Sequence, residues 1–172
     1  MRDEIVTYLD GAYRLHRPED VARFTALAVE AFPQFADRIE CFGADWLGRQ
    51  FATDQGRVVA GEPQVLMLEP GTGEALELPV DRTSFHTEEL VNEPDAAAAY
   101  SFFEEWLDAG GVRPEYDQCV GYKRPLYLGG RDDITNLEAL DLEAYWTLSA
   151  QILDQVRGLP PGTAIGQVSI SD

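Results

Sequence analysis

The stretch from Cys119 to Trp146 constrains the fold of this 172-residue chain more than any other segment does. Its glycine pair, Gly129–Gly130, suits a tight turn between two apolar runs. The runs Pro125–Leu128 and Asn136–Leu140 are therefore predicted to be strands that pair across this turn. Asp141 follows as a favourable helix N-cap. The stretch predicts a strand, a glycine turn, a second strand and then a helix.

Helices are predicted near both ends of the chain and in its middle. A first helix follows from apolar residues at helical spacing near the N-terminus, and a second runs from Pro18 to Pro33. Others are predicted over Ser84–Val91, from Pro94 to the glycines at 110 and 111, and from Leu142 to Val156. The residues that define the first helix are Ile5, Val6, Leu9, Ala12 and Tyr13.

Strands are predicted between these helices. They cover Trp46–Thr53 and Gln64–Glu69, and the second of them returns through Pro70–Gly73 into Ala75–Leu78 as a hairpin. The fold class is therefore α+β, with a central, mostly antiparallel sheet of hairpins flanked by N-terminal helices and a C-terminal helix. Residues 1–172 are expected to form a single compact unit.

The charge is strongly acidic and unevenly distributed. The formal net charge is −18, and residues 62–118 contain 14 acidic and two basic residues. Such a surface repels nucleic acid and anionic membranes and favours basic partners. A solubilising acidic surface without a binding role accounts for the same charge. Without an apolar run of about 20 residues or a signal-peptide core, a cytoplasmic protein is expected.

The residues that could carry chemistry do not form a recognisable catalytic motif. His86 lies beside Glu88 and Glu89 without a further nearby ligand, so a hydrogen-bonded or helix-capping histidine is favoured over a metal site. Cys41 and Cys119 have no metal-ligand spacing and are expected to be reduced core thiols. Neither a cofactor nor a metal is expected. A non-enzymatic protein is favoured, and an enzyme remains the alternative if distant residues converge.

Five ordered motifs resemble a bacterial family. They are Phe42–Gly48, Leu68–Glu74, Cys119–Lys123, Pro125–Gly130 and Asn136–Glu138. By these motifs the chain is similar to GAD-like proteins whose C-terminal domain is that of type VI secretion immunity proteins, which protect against DNase effectors. By this resemblance residues 1–35 form a helical GAD-like lead-in, and residues 36–172 form an immunity-type α+β domain.

The resemblance implies a non-catalytic immunity protein that binds and neutralises a cognate toxin, expected to be a basic nuclease domain. No direct contact with nucleic acid or membrane is expected, and the oligomeric state is left open. The alternative is a small-ligand or regulatory binding module with a pocket between the sheet and the helices. If an acidic surface blocks the toxin, the candidate contact residues are Glu88, Glu89, Glu93, Asp95, Glu104, Glu105, Asp108, Asp132 and Asp133.

Overall fold

The largest element of the protein is a six-stranded antiparallel sheet whose strands lie in chain order. The computed structural model describes residues 4–160 and residue 170. A second sheet pairs β7 with β8 in antiparallel register. The strands are β1 (Thr7–Tyr8), β2 (Tyr13–Leu15), β3 (Ile39–Asp45), β4 (Gln50–Val59), β5 (Glu62–Glu69), β6 (Glu74–Asp81), β7 (Gln118–Tyr122) and β8 (Leu137–Asp141).

Helices flank these sheets, and the α+β class is confirmed. Residues 82–92 are helical throughout, because a π-helical turn, Phe85–Glu89, joins α2 to α3. None of the described helices is long and apolar enough to span a bilayer. The helices are α1 (Val21–Ala31), α2 (Arg82–Ser84), α3 (Leu90–Asn92), α4 (Pro94–Ala98), α5 (Tyr100–Asp108) and α6 (Leu142–Val156).

The predicted first helix is wrong, because residues 7–15 form a β-hairpin. Its turn places Asp10 at φ 58° and Gly11 at φ 93°, conformations that an α-helix excludes. Tyr13 is fully buried and pairs with Asp45 of β3, whereas Val6 is 48% exposed. The hairpin extends the sheet beyond β3, and this tertiary pairing overrides the helical spacing of the apolar residues.

The predicted strand Trp46–Thr53 is only partly correct, because its first half is a turn. One carboxylate oxygen of Asp45 accepts the backbone N–H groups of Leu47 at 3.0 Å and Arg49 at 3.1 Å. The other accepts the Arg49 Nε–H at 2.6 Å. This buried carboxylate closes the chain between β3 and β4. Strand β3 was not predicted.

The predicted hairpin across Gly129–Gly130 is also wrong. Strand β8 pairs with β7, and Leu126–Leu128 is a 3₁₀ turn inside the connection between them. The side chain of Asn136 ties this connection together. It accepts the Arg124 N–H at 3.0 Å and donates to the Arg124 carbonyl at 2.8 Å. A β-carbon on Gly130 would lie 1.9 Å from that carbonyl oxygen, so the glycine permits a close approach rather than a two-strand turn.

The helix predicted to begin near Pro94 is interrupted at Ala99, which has φ 49°. The interruption has a specific stabilising contact, since the buried indole of Trp46 donates to the Ala98 carbonyl at 3.1 Å. The side chain of Asp95 accepts the backbone N–H of Ser101 at 2.7 Å, which satisfies a donor at the start of α5. Two short helices therefore replace the single predicted one.

The C-terminal helix matches its prediction and packs into the main core. Asp141 is confirmed as its N-cap, because its side chain accepts the Ala144 N–H at 2.8 Å. The Trp146 indole is fully buried and donates to the Gly48 carbonyl at 2.7 Å, which joins α6 to the β3–β4 turn. Cys41 and Cys119 are buried free thiols in the same core, as expected.

Candidate functional site

A surface cleft of about 420 Å³ lies between the α4–α5 helices and the loop that follows β7. We call it the acidic cleft. It collects carboxylates from two separate parts of the sequence. Its lining residues are Asp95, Ala99, Ser101, Phe102, Glu105, Asp132 and Asp133.

The interruption at Ala99 builds the helical wall of the acidic cleft. Because the chain turns there, the carboxylate of Asp95 faces the first turn of α5 and hydrogen-bonds to Ser101. This hydrogen bond lowers the pKa of Asp95. Glu105 lies one turn beyond Ser101 on the same helix and is exposed.

Hydrogen bonds also hold the loop wall. The hydroxyl of Tyr122 donates to Asp132 at 2.7 Å, which ties the loop to the end of β7. Asp133 accepts both the hydroxyl and the backbone N–H of Thr135, and this lowers its pKa. Arg131 forms an exposed ion pair with Asp133 at 3.1 Å.

The cleft is suited to binding cations. Asp95 and Asp133 stay ionised well below neutral pH, because hydrogen bonds favour their charged forms. Within the described residues, no group of three or more histidine, cysteine, aspartate or glutamate side chains could hold a metal ion. Guanidinium and ammonium groups of a partner are the ligands that such a surface attracts.

Of the nine predicted contact residues, the structure brings four together in the cleft: Asp95, Glu105, Asp132 and Asp133. Glu104 and Asp108 are exposed on α5 outside it, while Glu88 and Glu89 lie on the π-helical turn and Glu93 on the link to α4. The contact role of all nine stays a prediction.

The histidines and cysteines are committed to internal structure. His86 lies between the hydroxyl of Tyr13, at 2.8 Å, and the carbonyl of Arg82, at 2.7 Å. The carbonyl needs a donor, so Nδ1 carries the proton and Nε2 accepts from Tyr13. The hydrogen-bonded histidine is thus confirmed. Burial raises the pKa of Cys41 and of Cys119 to about 12, so neither thiol is a ready nucleophile.

The part of the chain that contains the acidic cleft is similar to a known protein family. The family described as T6SS immunity protein Tdi1, C-terminal, matches residues 82–153. Residues 82–153 are therefore similar to this type VI secretion immunity family, and we call them the immunity region. The matched immunity region begins where β6 ends and contains every residue that lines the acidic cleft. The match supports an immunity-protein role for the chain.

A solved structure supports the fold beyond the immunity region. The crystal structure of Atu4351 from Agrobacterium tumefaciens aligns with a TM-score of 0.57 at 13% sequence identity. The alignment covers 87% of this chain and 71% of that one, so it extends into the six-stranded sheet. At this identity the likeness concerns the fold alone. No curated protein matches the chain in sequence.

A second cavity, of about 570 Å³, lies between the N-terminal β-hairpin and the segment that precedes β7. We call it the cationic pocket, after Arg14 and Arg17. It was not predicted, although two arginines and a histidine between residues 14 and 17 form a local basic cluster in an acidic chain. It is lined by Ile5, Thr7, Gly11, Arg14, Arg17, Pro114, Glu115, Tyr116 and Asp117, which lie outside the immunity region or on the loop before β7.

Proposed function

We propose that the chain neutralises a cognate type VI secretion toxin by binding it and covering a cationic surface of the toxin. The supporting observation is that the immunity region carries a cleft in which Asp95, Glu105, Asp132 and Asp133 converge. The toxin is proposed to be a nuclease, because an enzyme that cleaves DNA must present basic groups to phosphates. An acidic cleft competes for those groups.

The charge distribution supports fast association as well as blockade. Residues 62–118 carry a net charge of −12, and this total includes Glu104 and Asp108, which lie on α5 beside the cleft. Opposite charges on two proteins raise the association rate, and added salt screens that attraction. Binding to the toxin is therefore expected to weaken as the salt concentration rises.

The proposal is tested with the toxin encoded next to this chain. Co-expression is expected to protect the host cell, and the two purified proteins are expected to form one complex on size-exclusion chromatography. Continued killing of the host without a complex would contradict toxin neutralisation itself, whatever the mechanism.

The acidic-surface mechanism needs a separate variant. We expect the double charge reversal Glu104→Lys with Glu105→Lys to weaken toxin binding about tenfold or more, mainly through slower association. The matched control is Glu30→Lys with Glu40→Lys, which makes the same change in net charge on exposed residues of α1 and β3. Equal effects of both pairs would show that only the total charge matters and would contradict a localised acidic interface.

A further inference from the structure

The cationic pocket contains a buried charge, Arg14, that forms no direct ion pair within the described residues. Arg14 is only 2% exposed, and its NH2 donates to the Gln118 carbonyl at 2.5 Å. Its other two guanidinium nitrogens, Nε and NH1, have no hydrogen-bond partner in the described structure. A buried donor of a charged group that lacks a partner carries a large desolvation cost. An oxygen acceptor that contacted these two nitrogens would remove this cost.

Arg17 adds a second cation to the same pocket. Its guanidinium lies 4.3 Å from the centroid of the Tyr116 ring, and that of Arg14 lies 6.0 Å from the same centroid. The Nε of Arg17 is also buried and has no partner among the described residues. Both arginines therefore line one cavity beside one aromatic ring, and each has at least one guanidinium nitrogen without a hydrogen-bond partner among the described residues.

The ring that positions these arginines is held rigidly. The Tyr116 hydroxyl donates to Asp20 at 2.8 Å and accepts the backbone N–H of Arg17 at 2.9 Å. The pocket is thus arranged before any ligand arrives, which lowers the entropic cost of binding.

These two arginines differ from others in the chain. Arg23, Arg38 and Arg157 each form an ion pair with a carboxylate, at N···O distances of 3.3 Å or less. Neither Arg14 nor Arg17 forms one within the described residues, although 31 acidic residues are present in the sequence. Arg82 and Arg124 form no ion pair within residues 4–160 either, but both are exposed to water. The burial of Arg14 is what makes its unpaired guanidinium nitrogens costly, and an anion from outside would satisfy them.

The lining also restricts the charge of that anion. Glu115 and Asp117 line the same cavity, so two carboxylates accompany the two guanidinium groups. They repel a multiply charged anion more strongly than a singly charged one. A carboxylate accepts hydrogen bonds from the arginines and carries a single negative charge, so the two acidic residues repel it less than a multiply charged anion.

We propose that the cationic pocket binds a small ligand through a singly charged oxyanion, a carboxylate, held by Arg14 and Arg17. The cavity of about 570 Å³ lies within the size range of small-molecule sites. The site is separate from the acidic cleft and does not depend on toxin neutralisation.

The test uses the full chain, labelled with ¹⁵N, titrated with sodium acetate at constant ionic strength maintained with sodium chloride. We expect saturable shifts of the arginine Nε–H signals of Arg14 and Arg17, with no matching shifts in chloride alone. Inorganic phosphate is titrated in parallel and is expected to bind more weakly than acetate. Absence of saturable shifts with acetate, or equal shifts with chloride, would overturn the proposal. Tighter binding of phosphate would overturn the assignment of a singly charged ligand.

Variants separate this site from a general effect of charge. Arg17→Gln is expected to weaken acetate binding about tenfold, which corresponds to the loss of one hydrogen bond to a charged group. Arg131→Gln is the matched control, since it removes one positive charge from a side chain that is 81% exposed and distant in sequence. Equal weakening by both variants would show non-specific binding. Arg17 is only partly buried, so its variant is chosen over one at Arg14, whose loss could unfold the chain.

Discussion

The acidic cleft and the cationic pocket satisfy their charged groups in different ways. In the acidic cleft, Asp95, Asp132 and Asp133 accept hydrogen bonds from nearby groups and remain close to water. In the cationic pocket, Arg14 is buried and two of its nitrogens have no partner in the described structure.

The acidic cleft attracts cationic groups, whereas the cationic pocket contains buried N–H groups that need an acceptor. Exposed carboxylates cost little to maintain, and they act over a distance through their combined field. A buried guanidinium group is costly unless something satisfies it. The acidic cleft therefore suits the approach of a large basic partner, whereas the cationic pocket suits a small anion. The predictions below test this comparison.

The largest expected effect is a loss of stability on substitution of Trp46, which supports the helical wall of the acidic cleft. Trp46→Ala removes a fully buried indole and its hydrogen bond to the Ala98 carbonyl, and we expect a loss of about 4 kcal/mol in the free energy of unfolding. Urea denaturation measures it. The matched control is Trp106→Ala, which removes a half-buried indole that donates to Val112 at 3.0 Å. Equal losses would show that the contact with Ala98 has no special role.

The next largest effect is expected on the pH dependence of stability. It comes from His16, which lies between Arg14 and Arg17 in the sequence. Its Nε2 lies 2.6 Å from the Gln50 side-chain oxygen, and its Nδ1 is buried without a partner in the described structure. Burial lowers the pKa of His16 from 6.5 to about 4. The unfolded chain therefore binds the proton more readily between these values, so stability is full above about pH 6.5 and falls as the pH drops towards 4.

This histidine is expected to account for about 3 kcal/mol of lost stability between pH 7 and pH 4. Urea denaturation of wild type and His16→Gln at several pH values measures the contribution, and the variant is expected to show the flatter profile. His86→Gln serves as the control. Burial lowers the pKa of His86 as well, but His86 is less buried than His16. Identical profiles for wild type and His16→Gln would contradict the assignment.

A smaller effect is expected from the hydroxyl that holds the cationic pocket. Tyr116→Phe removes the hydrogen bonds to Asp20 and to the Arg17 N–H, and we expect a loss of about 1 to 2 kcal/mol. Tyr127→Phe is the matched control, since the buried Tyr127 hydroxyl has no partner in the described structure and its removal is expected to be neutral or stabilising. Thermal and urea unfolding measure the stability of both variants. A larger loss at Tyr127 would contradict this account of the pocket.

The smallest effect is expected on the rim of the acidic cleft. Glu104→Gln with Glu105→Gln is expected to change the free energy of unfolding by less than about 0.5 kcal/mol, because both side chains are exposed. Asp95→Ala is expected to cost more, since it removes the acceptor for the Ser101 N–H. If the glutamate pair proved the more costly, these carboxylates would be structural rather than available to a partner.

The parts of the fold that the sequence predicted have strong local signals. The spacing of apolar residues in α1 and α6, the capping aspartate Asp141 and the turn at Pro70–Gly73 each act within a few neighbouring residues. The acidic surface was predictable for a similar reason, because exposed charges need no particular partner. Four of its predicted residues converge in one cleft.

The parts that were missed depend on contacts between distant residues. The N-terminal hairpin is a hairpin because Tyr13 pairs with β3, and the interruption at Ala99 is supported by Trp46, about 50 residues earlier. Arg14 and Tyr116 are brought together by the same long-range packing. Arg14 belongs to a local basic cluster, but nothing in the sequence near either residue shows that Tyr116 lies beside it, so the cationic pocket was not predicted.

The sequence by itself determined the α+β class, the acidic balance and the likeness to immunity proteins. These follow from composition and from short motifs, such as Cys119–Lys123 within the matched region. Only the tertiary structure decided which charges are exposed and which are buried. The reason is physical, because the cost of an unpaired charge depends on its distance from water and from other charges, and folding sets both.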